Sequence, residues 1–219
     1  MAIAVMRFWS TSVGKKMVMA VSGVVVFGFV LGHMLGNLQI YAGPEKLNAY
    51  AAFLQGNKAL LWAVRLTMLT AVILHVLSAA QLWLQGRRAR PVAYHRQELV
   101  VTTYAARTMV IGGPIIAAFV IYHLLHLTTG HAHASFVPGD VYSNVIAGFQ
   151  VWWISAFYIL GNLMVGLHLY HGVWSMLQTL GASHPRFDPW RKRGAIAFAL
   201  AVTIGNVSFP VSVLTGLVP

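Results

Sequence analysis

The chain has 219 residues, of which 58% are hydrophobic and only 9% charged, with no cysteine. A soluble globular protein is nearer one quarter charged, so this composition belongs to an integral membrane protein and excludes a sizeable water-soluble domain. The net charge of +11 does not signal nucleic acid, because the basic residues fall in blocks between apolar segments instead of sharing one surface. Without cysteine, disulfides, thiolate metal ligation and covalent c-type haem attachment are all excluded.

A hydrocarbon core of about 30 Å needs about 20 apolar residues per helix. Five stretches qualify, at about 17–41, 61–85, 108–129, 147–178 and 195–217. The expected fold is therefore all-α, a single membrane domain built as a five-helix transmembrane bundle. Lys15-Lys16 before the first stretch looks like the start of a secretory signal, but the apolar run is too long for one and reads as a retained span. The fourth stretch is long enough to begin or finish in the headgroup region. Pro114 and Pro210 fall inside the third and fifth, where they predict kinks.

Basic residues orient the bundle. Arg7, Lys15 and Lys16 precede the first span; Arg87, Arg88, Arg90, Arg96 and Arg107 separate the second from the third; Arg186, Arg191, Lys192 and Arg193 separate the fourth from the fifth. The opposite side carries only Lys46, Lys58 and Arg65. The positive-inside rule then predicts a cytoplasmic N-terminus and an outside C-terminus. Turn signals punctuate the loops, among them Gly43-Pro44 and Pro138-Gly139, and the odd helix number argues against an inverted-repeat transporter.

Histidine carries the functional signal. Six of the ten lie within the apolar segments: His33, His75, His123, His126, His168 and His171. An ionisable side chain in hydrocarbon is expensive and needs a partner. His33 lies 17 residues beyond Lys16 and His123 16 beyond Arg107, so both should stand about 24 Å from the basic boundary. His75, 12 residues before Arg87, stands about 18 Å from it; measured from Gly181, His168 and His171 stand about 20 and 15 Å away. Depth thus yields one pair on spans one and three and another on spans two and four. It favours His123 over His126 only mildly and leaves His168 and His171 open. Gly28, Gly32 and Gly36 around His33, and Ala71 and Ala79 around His75, would permit close approach of a partner or ordinary helix packing. Imidazole suits iron, zinc, copper and nickel. The four acids Glu45, Glu98, Asp140 and Asp188 all fall at loops or ends, which disfavours a carboxylate relay or a hard-metal transporter. Paired neutral imidazoles suit haem b.

Several motifs in order resemble the diheme cytochrome b anchor of succinate:quinone oxidoreductases, in the branch with one five-helix membrane subunit. They are Ser12-Val13-Gly14-Lys15-Lys16, His33-Met34-Leu35-Gly36-Asn37, Gly43-Pro44 with Leu47-Asn48-Ala49-Tyr50, Tyr122-His123-Leu124-Leu125-His126, and His168-Leu169-Tyr170-His171-Gly172 leading to Gln178-Thr179-Leu180-Gly181. The resemblance spans almost the whole chain. It implies two haem b groups with axial ligands His33, His75, His123 and His168, with His126 and His171 as fallbacks. It pairs His75 with His168 and His33 with His123, as depth does. It further implies flavoprotein and iron–sulfur partners on the basic cytoplasmic face of a bacterial inner membrane. The acceptor would be a quinone, menaquinone being favoured. Asn37, Gln39, Glu45 and Asn48 lie at the end where a quinone would need hydrogen-bond donors, although capping and loop structure explain them equally well. Some fumarate reductases of this branch carry a glutamate two residues before the fourth-helix ligand; here the position is Gly166, which favours succinate oxidation. Two alternatives stand beside this expectation: an anchor for another dehydrogenase, such as a formate or hydrogenase module, and a haem-free membrane anchor or transporter.

Overall fold

In the computed structural model, which describes residues 8–90, 92 and 104–218, the chain is 84% helical without strands among the described residues. The helices are α1 (Ser12–Asn37), α2 (Pro44–Gly56), α3 (Lys58–Arg88), α4 (Tyr104–Leu127), α5 (Val141–Gln150), α6 (Trp152–Thr179) and α7 (Asp188–Leu214), with a 3-10 turn at Leu38–Ala42 after α1. Five of them, α1, α3, α4, α6 and α7, are long and apolar enough to cross a membrane. Arg7, His95, Arg96 and Glu98 lie outside the described residues.

Local chemistry sets the boundaries. The Thr11 hydroxyl accepts from the Gly14 amide at 2.9 Å and opens α1, while Asn57 accepts from Leu60 at 3.0 Å and opens α3. Gly43, at φ 94°, makes the left-handed turn that precedes Pro44 at the start of α2. Gly181, at φ 84°, ends α6, with the Ala182 amide reaching back to the Leu177 carbonyl at 2.9 Å.

The fourth apolar stretch is not one helix. Asp140 caps α5 by accepting from the Ser143 amide at 3.1 Å, and Val151, extended at ψ 105°, breaks the chain before α6. α5 buries Tyr142, Asn144, Ile146, Gly148 and Phe149, so it lies against the bundle as a short cap, and the span proper begins at Trp152. Hydropathy averaged over a span-length window does not see this break, because Gln150 is the one polar residue beside it among Phe149, Val151, Trp152 and Trp153.

Side-chain contacts give the helix directions. Phe27 meets Phe198 and Tyr41 meets Ser208, so α1 and α7 run parallel. Met19 meets His75, Phe119 meets Phe157, and Lys192 stands over Trp174, so α3 runs against α1, and α6 against both α4 and α7. α1, α4 and α7 therefore run one way and α3 and α6 the other. Lys15, Arg87, Arg88, Arg90, Arg186, Arg191, Lys192 and Arg193 consequently gather at one end. Arg87 over Trp83 and Arg193 over Trp190, at 5.1 and 5.4 Å, are cation–aromatic pairs suited to a membrane boundary. At the opposite end Ile40, Leu47, Phe149, Tyr158, Phe209 and Val213 form a packed core under α2 and α5. Large side chains such as Leu66, Leu69, Ile111, Ile121 and Leu200 are exposed, as a lipid-facing surface requires.

Candidate functional site

α1 packs closely along α3, and α6 along α4 and α7, but neither α1 with α4 nor α3 with α6 is a principal packing pair. Across those two separations the histidines meet. The ring centroids of His33 on α1 and His123 on α4 lie 5.9 Å apart with planes at 80°. Those of His75 on α3 and His168 on α6 lie 6.0 Å apart with planes at 64°. These are the two pairings expected from residue depth.

The spacing can be compared with what one ion between two imidazoles needs. With metal–nitrogen bonds of about 2 Å and ~1.1 Å from nitrogen to ring centre, centroids in line would stand ~6.2 Å apart. Both observed separations are a few tenths of an ångström short of that. Among the described residues no three His, Asp or Glu side chains group to hold a metal ion by themselves. A site with only two protein donors suits a prosthetic group that brings its own equatorial nitrogens, and the donor set therefore fits haem b.

The ring environments differ. His75 Nδ1 lies 3.0 Å from the Met19 carbonyl oxygen, which can only accept, so Nδ1 carries the proton and Nε2 keeps a free lone pair. Such a second-shell bond fixes the tautomer and orientation of a ligating histidine and raises its basicity. Gly23, one turn from Met19, borders this ring: a Cβ there would lie 3.5 Å from His75 Cε1, in ordinary contact. His168 Nδ1 is enclosed without a hydrogen-bond partner, so no carbonyl orients that ring. His33 Nε2 lies 3.2 Å from the Asn37 amide nitrogen, which donates to it, and Phe29 stacks on the ring at 5.5 Å. His33 can offer Nε2 to another partner once Asn37 turns aside. His123 stands among Phe119 and Tyr158.

The fallback residues are placed differently. His126 is fully buried, with Nδ1 3.0 Å from the Tyr158 hydroxyl and its ring stacked on His133 at 4.8 Å. His171 is half-buried, and the ring facing His75 is that of His168. His133 accepts from the Ser135 amide at Nδ1 and donates from Nε2 to the Asn144 carbonyl, so both its nitrogens are committed. His131 bonds Thr129, and His184 accepts from the Arg186 amide.

The polar residues proposed for a quinone fall at the end away from the basic cluster. Asn48 donates to Asp140 and accepts from the Tyr142 amide, both at 2.9 Å, and so ties α2 to the start of α5. The Ser143 hydroxyl, the Asn48 amide and the Ser143 backbone hold the Asp140 carboxyl below its ordinary range. Glu45 is exposed on the first turn of α2, Gln39 is half-buried in the 3-10 turn, and Asn37 is the partner of His33.

A Cβ on Gly28 or Gly32 would meet nothing within 4 Å. Gly36 admits the Tyr50 ring of α2, with a Cβ 2.6 Å from its hydroxyl, and Gly166 admits Thr203 of α7. A glutamate at Gly166 would therefore have no room between α6 and α7. Met19, Gly23 and Tyr158 were not singled out from the sequence. The available signal was a tyrosine hydroxyl deep in an apolar segment, which must find a partner. No family model matches this chain, and no curated protein or solved structure matches it significantly.

Proposed function

We propose that this chain is the membrane-anchor cytochrome b subunit of a succinate:quinone oxidoreductase, passing electrons from an iron–sulfur partner to a membrane quinone. The observation that supports it is the meeting of His33 with His123 and of His75 with His168, two imidazole pairs from four different spans. The ordered motifs along the sequence supply the assignment to this particular oxidoreductase. His75 and His168 would hold one haem b near the basic end, and His33 and His123 the other. Haem b, when bound, supplies a one-electron iron couple.

The protein's own contribution is the environment. The Met19 carbonyl makes His75 a stronger donor, which favours the oxidised state of whatever metal it holds. Phe29 stacks on His33, and Phe119 and Tyr158 flank His123, so aromatic rings border the other pair. The basic end would face the cytoplasm by the positive-inside rule, in the bacterial inner membrane we propose, and its charge would complement acidic surfaces on flavoprotein and iron–sulfur subunits.

The test is a dithionite-reduced spectrum of the purified protein with identification of what co-purifies. A b-type band together with a flavoprotein and an iron–sulfur subunit supports the proposal. A b-type band with a formate- or hydrogen-oxidising partner would move the chain to another dehydrogenase. No band would leave a haem-free anchor.

A further inference from the structure

His126 is the most enclosed polar side chain near the His33–His123 pair, and a two-haem site does not use it. Its ring stacks on Tyr122 at 5.4 Å and 16°, and on His133 at 4.8 Å and 21°. Nδ1 bonds the Tyr158 hydroxyl, while Nε2 is buried with no hydrogen-bond partner. Nδ1 and the Tyr158 hydroxyl share one hydrogen bond, whose donor is set by the imidazole tautomer. Nε2 faces α5, where a Cβ on Gly148 would lie 2.9 Å from it. His126 is thus turned away from His33.

Tyr158, only 3% exposed, is the hub of this end of the bundle. Its ring lies 4.8 Å from Phe149, 5.4 Å from Phe119 and 5.9 Å from His123. Phe119 in turn stands 6.3 Å from His123. A ring so surrounded can shift only with its neighbours, and among the described residues its hydroxyl is restrained by the bond to His126.

We propose that His126 and Tyr158 are positioning residues: their hydrogen bond holds the Tyr158 ring, and Tyr158 with Phe119 sets the orientation of the His123 imidazole. This rests on the two-haem reading, and adds that His126 acts through Tyr158 and is not an axial ligand. Ligand orientation alters the metal's electronic state, so the effect is confined to the haem held by His33 and His123.

The experiment compares wild type, Tyr158→Phe, His126→Leu and His123→Ala as purified, haem-loaded protein. It measures haem content, the low-spin EPR signals and a potentiometric titration. His123→Ala identifies the haem in question by its loss. Tyr158→Phe should keep two haems, shift the EPR signal of that haem, and change its reduction equilibrium at least threefold, about 28 mV for a one-electron couple. The haem at His75 and His168 should be unchanged, which also reports an intact fold. Unaltered signals and potentials in Tyr158→Phe would overturn the proposal. So would loss of one haem in His126→Leu with both retained in His123→Ala. If His126→Leu does not fold, Tyr158→Phe, which removes a single oxygen atom, decides alone. A wild type without haem b refutes the functional reading itself, and is told apart by its spectrum before any variant is made.

Discussion

Replacing Gly148 by alanine tests the packing of α5 onto α4 at the most enclosed histidine. The new methyl would lie 2.6 Å from His126 Cε1 and 2.9 Å from Nε2. Ordinary contact begins near 3.4 Å, so something must give by most of an ångström. The histidine cannot simply rotate, since Tyr158 holds Nδ1 and His133 and Tyr122 stack on the ring. Overpacking of this kind costs about 1–3 kcal/mol. For a chain of this size each kcal/mol lowers Tm by about 2–4 °C, giving an expected loss of about 2–12 °C. The assay is thermal unfolding in detergent followed by circular dichroism and by monodisperse elution. Gly28→Ala is the control, because its methyl meets nothing and alanine favours a helix; its Tm should hold or rise slightly. Equal Tm values for Gly148→Ala and wild type would refute the reasoning.

Further expectations follow from the same geometry. His168→Ala should lose one haem while His171→Ala keeps both, read by pyridine haemochrome; the reverse pattern would exchange their roles. Gly166→Glu should abolish stable expression, because it forces an unpaired carboxylate against Thr203; normal yield and elution would contradict the close α6–α7 contact. Asn48→Ala removes two hydrogen bonds of about 1 kcal/mol each, and a Tm within 1 °C of wild type, roughly the resolution of that conversion, would deny them weight. Asp140, with its folded pKa depressed, stabilises α5 above the ordinary carboxylate pKa of about 3.9, and that contribution is lost as pH falls through the lower folded value. Wild-type Tm should therefore hold from pH 7 to about 5 and fall below about 4, a fall that Asp140→Ala should lessen.

The five spans and their alternating directions were legible because apolar length and the placement of lysine and arginine are one-dimensional properties. So were the histidine pairings: rise per residue converts position to depth, and similar depth on spans that run the same way, α1 with α4 and α3 with α6, brings the rings level. The break at Val151 was not legible, since no proline marks it, the single polar residue beside it is Gln150, and the cap from Asp140 lies eleven positions earlier. Depth likewise could not separate His168 from His171, one turn apart. Only the facing of α3 and α6 brings His168, and not its neighbour, opposite His75. The four-residue glycine spacing around His33 left close approach of a partner and ordinary helix packing open, since spacing identifies a face of a helix but not what covers it; of the three, Gly36 meets a neighbouring helix, at Tyr50.

The most direct measurement is the haem stoichiometry of the purified chain by pyridine haemochrome, set against protein from amino-acid analysis. Two haem b per polypeptide, falling to one in His75→Ala or in His33→Ala, is the predicted result. A colourless wild-type preparation from cells with ample haem would contradict the account, and so would pigment unaffected by replacing these histidines.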